Sequence, residues 1–163
     1  MVEPWLRGTL TDVDAVRRQV LHALQLAQED ADRWCSSLSD DQVNARPNGI
    51  APVAFHLRHI ARSLDRLLTY AEGRGLSQDQ LALLQGELTS KAATEEVMFE
   101  FREAIVAAGK RIRRLDPNTL EDGRGVGRDK LPTTVGGLLV HCADHTQRHI
   151  GQAVTTAQVV VTH

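Results

Sequence analysis

The sequence predicts an all-α protein, a four-helix bundle, and three observations carry that prediction. Four stretches repeat apolar residues at intervals of three and four, which is the spacing of one buried helix face. No region is strand-rich, and there is neither an internal repeat nor a low-complexity segment. Aromatic residues are only 4% of a chain that is 42% hydrophobic, so the core must be built mainly from Leu, Val, Ile and Ala. At 163 residues one domain is expected over 1–163, with a core of its own.

The first helix is expected to start at an N-cap on Thr11 or Asp12. Its stripe is Val13, Val16, Val20, Leu24, Ala27, Ala31 and Trp34, and it runs to about Leu38. The turn chemistry of "SDDQVNARPNG" ends it. A second helix begins near Ala51–Pro52, since proline is tolerated in a first turn, and continues through Phe55, His59, Ile60, Leu64, Leu67 and Leu68 to about Ala71. "SQDQLALLQGEL" reads as a short helix capped by Ser77. The third long helix starts near Thr94, with Glu95 and Glu96 in the first turn and Lys110 to Arg114 near its end, as the helix dipole favours; Asp116–Pro117 stops it. The Gly-rich "NTLEDGRGVGRDKLP" is a loop or small hairpin, and the last helix runs from Thr133–Thr134 to about Val160. Long second and third connections allow crossovers and a non-sequential order of neighbours.

The formal net charge of −2 offers no basic footprint for nucleic acid, and no apolar run approaches the roughly 20 residues that span a bilayer. The N-terminal residues lack signal-peptide order, and two distant cysteines, Cys35 and Cys142, fit a reducing compartment. A cytoplasmic protein is therefore expected. Cys142 has no supporting motif and reads as core; Trp5 and Trp34 are expected to pack against helices.

Function is carried by histidine. There are seven, and two sit in the second helix as "HLRH" (His56 and His59). Three more, His141, His145 and His149, recur every four residues in the last helix and so share one face. His22 and His163 are isolated and read as surface or satisfied core groups. Several inward imidazoles would each need a partner, because an unpaired buried polar group costs about 1–3 kcal/mol. One cation satisfies several ring nitrogens at once, and neutral imidazole suits divalent metals such as zinc, nickel or manganese. His145 and His149 are one turn apart and can reach one ion; the third ligand comes from His59 or His56. Three protein ligands leave a position open, which is the pattern of a catalytic site. His141 and His56 are then candidates for general acid–base work, or for hydrogen bonds to a ligand. Asp144 is expected to cap or support a ligand, Gln152 to orient one, and Arg111, Arg113 and Arg114 to form a solvated helix end or to meet an anion.

"HCADHTQRHIGQ" resembles the C-terminal motif of the DinB/YfiT-like metal-binding four-helix bundles, in which His-x-x-x-His precedes a Gly-Gln step; here these are His145, His149, Gly151 and Gln152. "FHLRHIARSLDRLLTY" is similar to the second-helix motif of that family, whose His is followed by an apolar residue and Ala, matched by His59, Ile60 and Ala61. The resemblance implies a long-crossover bundle, a three-histidine divalent metal site on His59, His145 and His149, and homodimerisation. It also implies a small-molecule substrate, since relatives include S-transferases that use low-molecular-weight thiols. His56 and His141 are additions to the simplest pattern. Hydrolysis at the same site is the alternative reaction. A non-enzymatic metal-binding or interaction bundle, or a metal-free bundle with histidines at a dimer interface, are the alternatives outside catalysis.

Overall fold

The computed structural model describes residues 2–85 and 91–162. Its long helices are α1 (Ala15–Trp34), α3 (Val53–Ala71), α5 (Thr94–Arg114) and α6 (Val135–Val161), with short helices α2 (Asp40–Asn44) and α4 (Gln78–Gln85) in the connections. Each long helix packs on two others: α1 and α3 both touch α5 and α6, and neither touches the other to any extent. Side-chain pairs give the directions. Arg17 reaches the Arg113 carbonyl and Arg102 reaches Asp32, so α1 and α5 are antiparallel. Arg58 and Arg62 meet Glu100 while Arg111 meets Asp65 and Glu72, so α3 and α5 run parallel. His56 faces His149 and His59 faces His145, so α3 and α6 are antiparallel. The order is up, down, down, up. Because α3 and α5 are parallel neighbours about 30 Å long, their connection must travel back along the bundle, which is the crossover expected from its length.

The first helix begins later and ends earlier than its apolar stripe suggests. Leu10 adopts φ 60° and its carbonyl accepts from the Val13 amide at 3.1 Å, which holds residues 10–13 in a turn. Asp14 therefore becomes the N-cap, accepting from the Arg17 amide at 3.2 Å and pairing with the Arg17 guanidinium. At the other end Cys35 and Leu38 are buried in a turn that continues the stripe without continuing the helix. The stretch read as turn alone also contains α2. Its signal was present: Ser39 and Gln42 exchange hydrogen bonds at 3.2 and 3.0 Å in a capping box.

α2 in turn supports α5. The N-cap of α5 is Ala93, whose side chain cannot accept, and the carboxylate of Asp40 takes the Thr94 amide instead at 2.8 Å. Asn44 clamps the neighbouring Ala92 backbone through both its amide groups, at 2.8 and 3.2 Å. Replacing Asp40 by Ala is expected to lower stability by about 1 kcal/mol, read as a lower urea midpoint with an unchanged slope. An unmoved midpoint would mean that this borrowed cap contributes nothing.

The remaining elements follow the sequence closely. Pro52 is the N-cap of α3, and Ser77 caps α4 through the Gln80 amide at 3.2 Å; Gly86, Glu87 and Leu88 of the quoted α4 stretch lie outside the described residues. The Gly-rich stretch is a hairpin of β1 (Gly123–Val126) and β2 (Leu131–Thr134), paired Gly123 to Thr134 and Val126 to Leu131. β2 runs directly into α6, where the Thr134 hydroxyl caps the Gly137 amide at 3.0 Å. A side chain on Gly136 would sit 3.1 Å from the Leu120 carbonyl, and one on Gly137 would sit 2.8 Å from the Thr133 hydroxyl, so a larger residue at either position would force its neighbour to shift.

Candidate metal centre

The register of α3 against α6 brings the two histidine sets together. Within each helix the spacing puts the rings on one face; the antiparallel crossing then interleaves them. His59 Nε2 lies 3.1 Å from His145 Nε2. The His149 ring centroid is 4.5 Å from that of His59 and 4.6 Å from that of His145. One nitrogen from each of these three half-buried rings falls within 4.8 Å of the others, a group spaced to hold a metal ion. Zinc–nitrogen bonds of about 2.0–2.1 Å demand slightly closer nitrogens than that, within reach of small rotations about χ1 and χ2.

The chemistry of the donors fits a cation as well as their spacing does. Burial, followed by the charges of His149 and His59, pushes His145 down to about 4 from the ordinary imidazole value of 6.5. A ring in that condition is neutral at pH 7 and presents a lone pair. His56 is 5% exposed, and its Nδ1 lies 3.0 Å from Nδ1 of His149. It too is pushed down to about 4, chiefly by burial and then by His149 and His59. His56 thus stands behind the group, bearing on one nitrogen of His149 and so on which nitrogen is left to a metal.

His141 is placed apart from the three. Its ring is exposed, 5.4 Å from that of His145, and its Nδ1 is 3.0 Å from the Asp144 carboxylate. Asp144 therefore supports His141 and not a candidate ligand. Gln152 is exposed, and among the described residues its side chain has no partner. Arg111 is spent on Asp65 and Glu72, both at 2.7 Å, which makes it a structural tie between α5 and α3. Cys142 is fully buried and burial pushes its thiol up to about 12, consistent with a core residue. Trp34 packs partly against the core under Arg33, whereas Trp5 is 53% exposed with its indole N–H on Glu3, so it does not pack as expected.

Other residues at the site were not singled out from sequence. Phe55 stacks on His59 at 5.3 Å and 18° and meets His56 edge-on at 5.2 Å, fixing both rings. Its position one helical turn before His59 was the available signal. The Ser63 hydroxyl lies 3.5 Å from His59 Nε2 and accepts from Arg66 at 3.0 Å. His22 is neither on the surface nor satisfied: it is 3% exposed, and among the described residues its Nδ1 has no partner. His163 lies outside the described residues.

The low values of His56 and His145 have a consequence for the metal-free protein. Below pH 6.5 the unfolded chain takes up protons on these two rings that the folded chain refuses until about pH 4. The unfolded state binds more protons in that window, so stability falls as the pH falls through it. Thermal melts of the metal-free protein are expected to show Tm dropping by several degrees between pH 7 and pH 4.5, and by less in His56→Ala. A flat profile would mean that the rings are not held neutral.

The arrangement defines a helical bundle with an all-histidine, metal-competent group between two antiparallel helices. Residues 23–153 match the sequence pattern of the DinB superfamily, and the chain belongs to that family. No curated protein matches it. Among solved structures it is similar to the crystal structure of a conserved protein from Enterococcus faecalis, with a TM-score of 0.74 and 18% identity over 93% of this chain and 100% of that one. That likeness bears on the fold. Family membership and the three-histidine group together support a metal-binding protein. Among the described residues no helix is long and apolar enough to cross a membrane.

Proposed function

We propose that this protein is a metal-dependent enzyme acting on small molecules, a low-molecular-weight-thiol S-transferase whose divalent ion is held by His59, His145 and His149. The observation that carries the reading is the convergence of these three imidazoles, with no fourth donor in the group among the described residues. An ion with an open position supplies Lewis-acid chemistry, lowering the pKa of a thiol that reaches it. The chain's own part is to bind and orient. His59, His145 and His149 hold the ion, Phe55 stiffens the α3 side, and His56 positions His149 through Nδ1. Zinc, nickel and manganese all remain within the reading, which also includes a cytoplasmic homodimer.

A hydrolase is the second reading, and His141 is what favours it. A carboxylate on Nδ1 of an exposed imidazole, one turn from His145, is the arrangement of a general base for water. One experiment separates the two. Zinc-loaded protein is given monochlorobimane with a panel of small thiols, and separately an activated ester. Thiol conjugation above the uncatalysed rate, absent in His59→Ala, is the expected result. Ester hydrolysis without thiol conjugation would replace the transferase with the hydrolase. Neither activity, in protein that retains its metal, would leave a binding module.

A further inference from the structure

Next to the histidine group lies an open cleft of about 660 Å³, within the size range of small-molecule sites. Ile50 and Ala51, just before α3, form its apolar wall, and Arg148, Gln152 and Thr155 of α6 form the polar one. His56 lines it between them. We propose that this cleft seats the carboxylate-bearing part of the small substrate, and that Arg148 is the residue that selects for it. The proposal rests on the small-molecule reading of the metal centre and names the class of molecule that centre receives.

Among the described residues no Asp or Glu lines the cleft, and Arg148 is the one charged residue that does. Arg148 is also weakly committed. Its side chain is 60% exposed, and its contact with Asp144 is 3.8 Å long, at the limit of an ion pair; the other Asp144 oxygen already receives His141 at 3.0 Å. An exposed pair of that kind contributes little, so turning the guanidinium toward a ligand costs little. A carboxylate accepting two parallel N–H bonds from Arg is the stronger partner. Gln152 follows Arg148 by one helical turn and adds a free amide to the same wall. The Thr155 hydroxyl donates to the Gly151 carbonyl at 2.9 Å and so adds no repelling charge.

Arg148 directly precedes His149 in the chain, and His56 both lines the cleft and touches His149 at 3.0 Å. A molecule with its acid on Arg148 would lie beside His56, the cleft residue that bears directly on His149. Ile50 is 45% exposed, and with Ala51 it offers the methylene part of such a molecule an apolar surface. A short thiol or electrophile carrying a carboxylate fits this division.

The test is a titration of isotope-labelled, metal-free protein with 2-mercaptosuccinate, and with neutral 2-mercaptoethanol, followed by NMR. Mercaptosuccinate is expected to shift the Gly151 and Thr155 amides and the Arg148 side-chain N–H. It should bind about tenfold tighter than the neutral thiol, the scale of one charge-assisted hydrogen bond in water. In Arg148→Gln, with the rest of the spectrum intact, the preference should fall to within about twofold. Equal binding of the two thiols overturns the proposal, as does a preference that survives Arg148→Gln or shifts confined to other helices. Repeating the titration with added zinc keeps the two readings apart: protein that takes up no zinc but keeps its charge preference sinks the metal centre and spares the cleft. Zinc uptake with no charge preference does the reverse.

Discussion

Exchanging His149 for alanine is expected to weaken divalent metal binding by more than about 100-fold. Among the described residues the group offers three donors, and losing His149 leaves two imidazoles on different helices. Wild-type protein, purified without a histidine tag and loaded with zinc, should carry about one equivalent by elemental analysis; His149→Ala, His145→Ala and His59→Ala should each carry almost none. Thermal melts give an independent reading, since an ion at about 100 times its Kd stabilises the fold that binds it by about 2.7 kcal/mol. That rise should appear in wild type and vanish in His149→Ala. Two companions decide the surrounding roles. His56→Ala should retain the ion with about 10–100-fold weaker affinity, the effect of removing a residue that orients a ligand. His141→Ala should leave both stoichiometry and affinity unchanged, because its Nδ1 belongs to Asp144. Loss of the ion in His141→Ala would instead make it a fourth ligand and close the site.

Replacing Phe101 by alanine should cost the protein about 3–5 kcal/mol, the range for truncating a buried phenylalanine. Phe101 is fully buried and is the largest of the completely enclosed side chains. It lies on α5, which packs against both α1 and α3. For a chain of this length the loss corresponds to a fall in Tm of roughly 10 °C. Phe99 is the internal control: it is 66% exposed, and its replacement should change stability by no more than about 0.5 kcal/mol. Two residues of the same type differ because two steps along a helix turn the side chain through roughly 200°. Similar losses for both would mean that the exposed face of α5 is covered in solution.

Much of this was legible in the chain because the relevant rules are local. An apolar residue every three or four positions builds a helix face wherever it occurs, so the four long helices, the Ser77 cap and the hairpin were all open to reading. So was the sharing of a face by His141, His145 and His149. The departures are local as well. Apolar spacing persists through Cys35 and Leu38, where the backbone has already turned, so periodicity alone overstates the length of the first helix. The Ser39–Gln42 capping box sits among turn residues, which disguise the short helix that it starts.

What the tertiary structure alone decided is how faces from different helices meet. Periodicity says which way a side chain points around its own axis and nothing about the level at which a neighbouring helix passes. His56 and His59 both point toward α6 and are three residues apart; only the antiparallel register sets His59 against His145 and His56 against Nδ1 of His149. The same limit hid the Asp40 cap on α5, which joins residues 54 positions apart. It hid Arg148 too: the sequence shows its neighbour His149, but the cleft it borders requires residues 50 and 51 to arrive from the other side. Helix faces are set by covalent geometry and short-range hydrogen bonds. Register between helices is set by the packing of the whole core, which no local pattern contains.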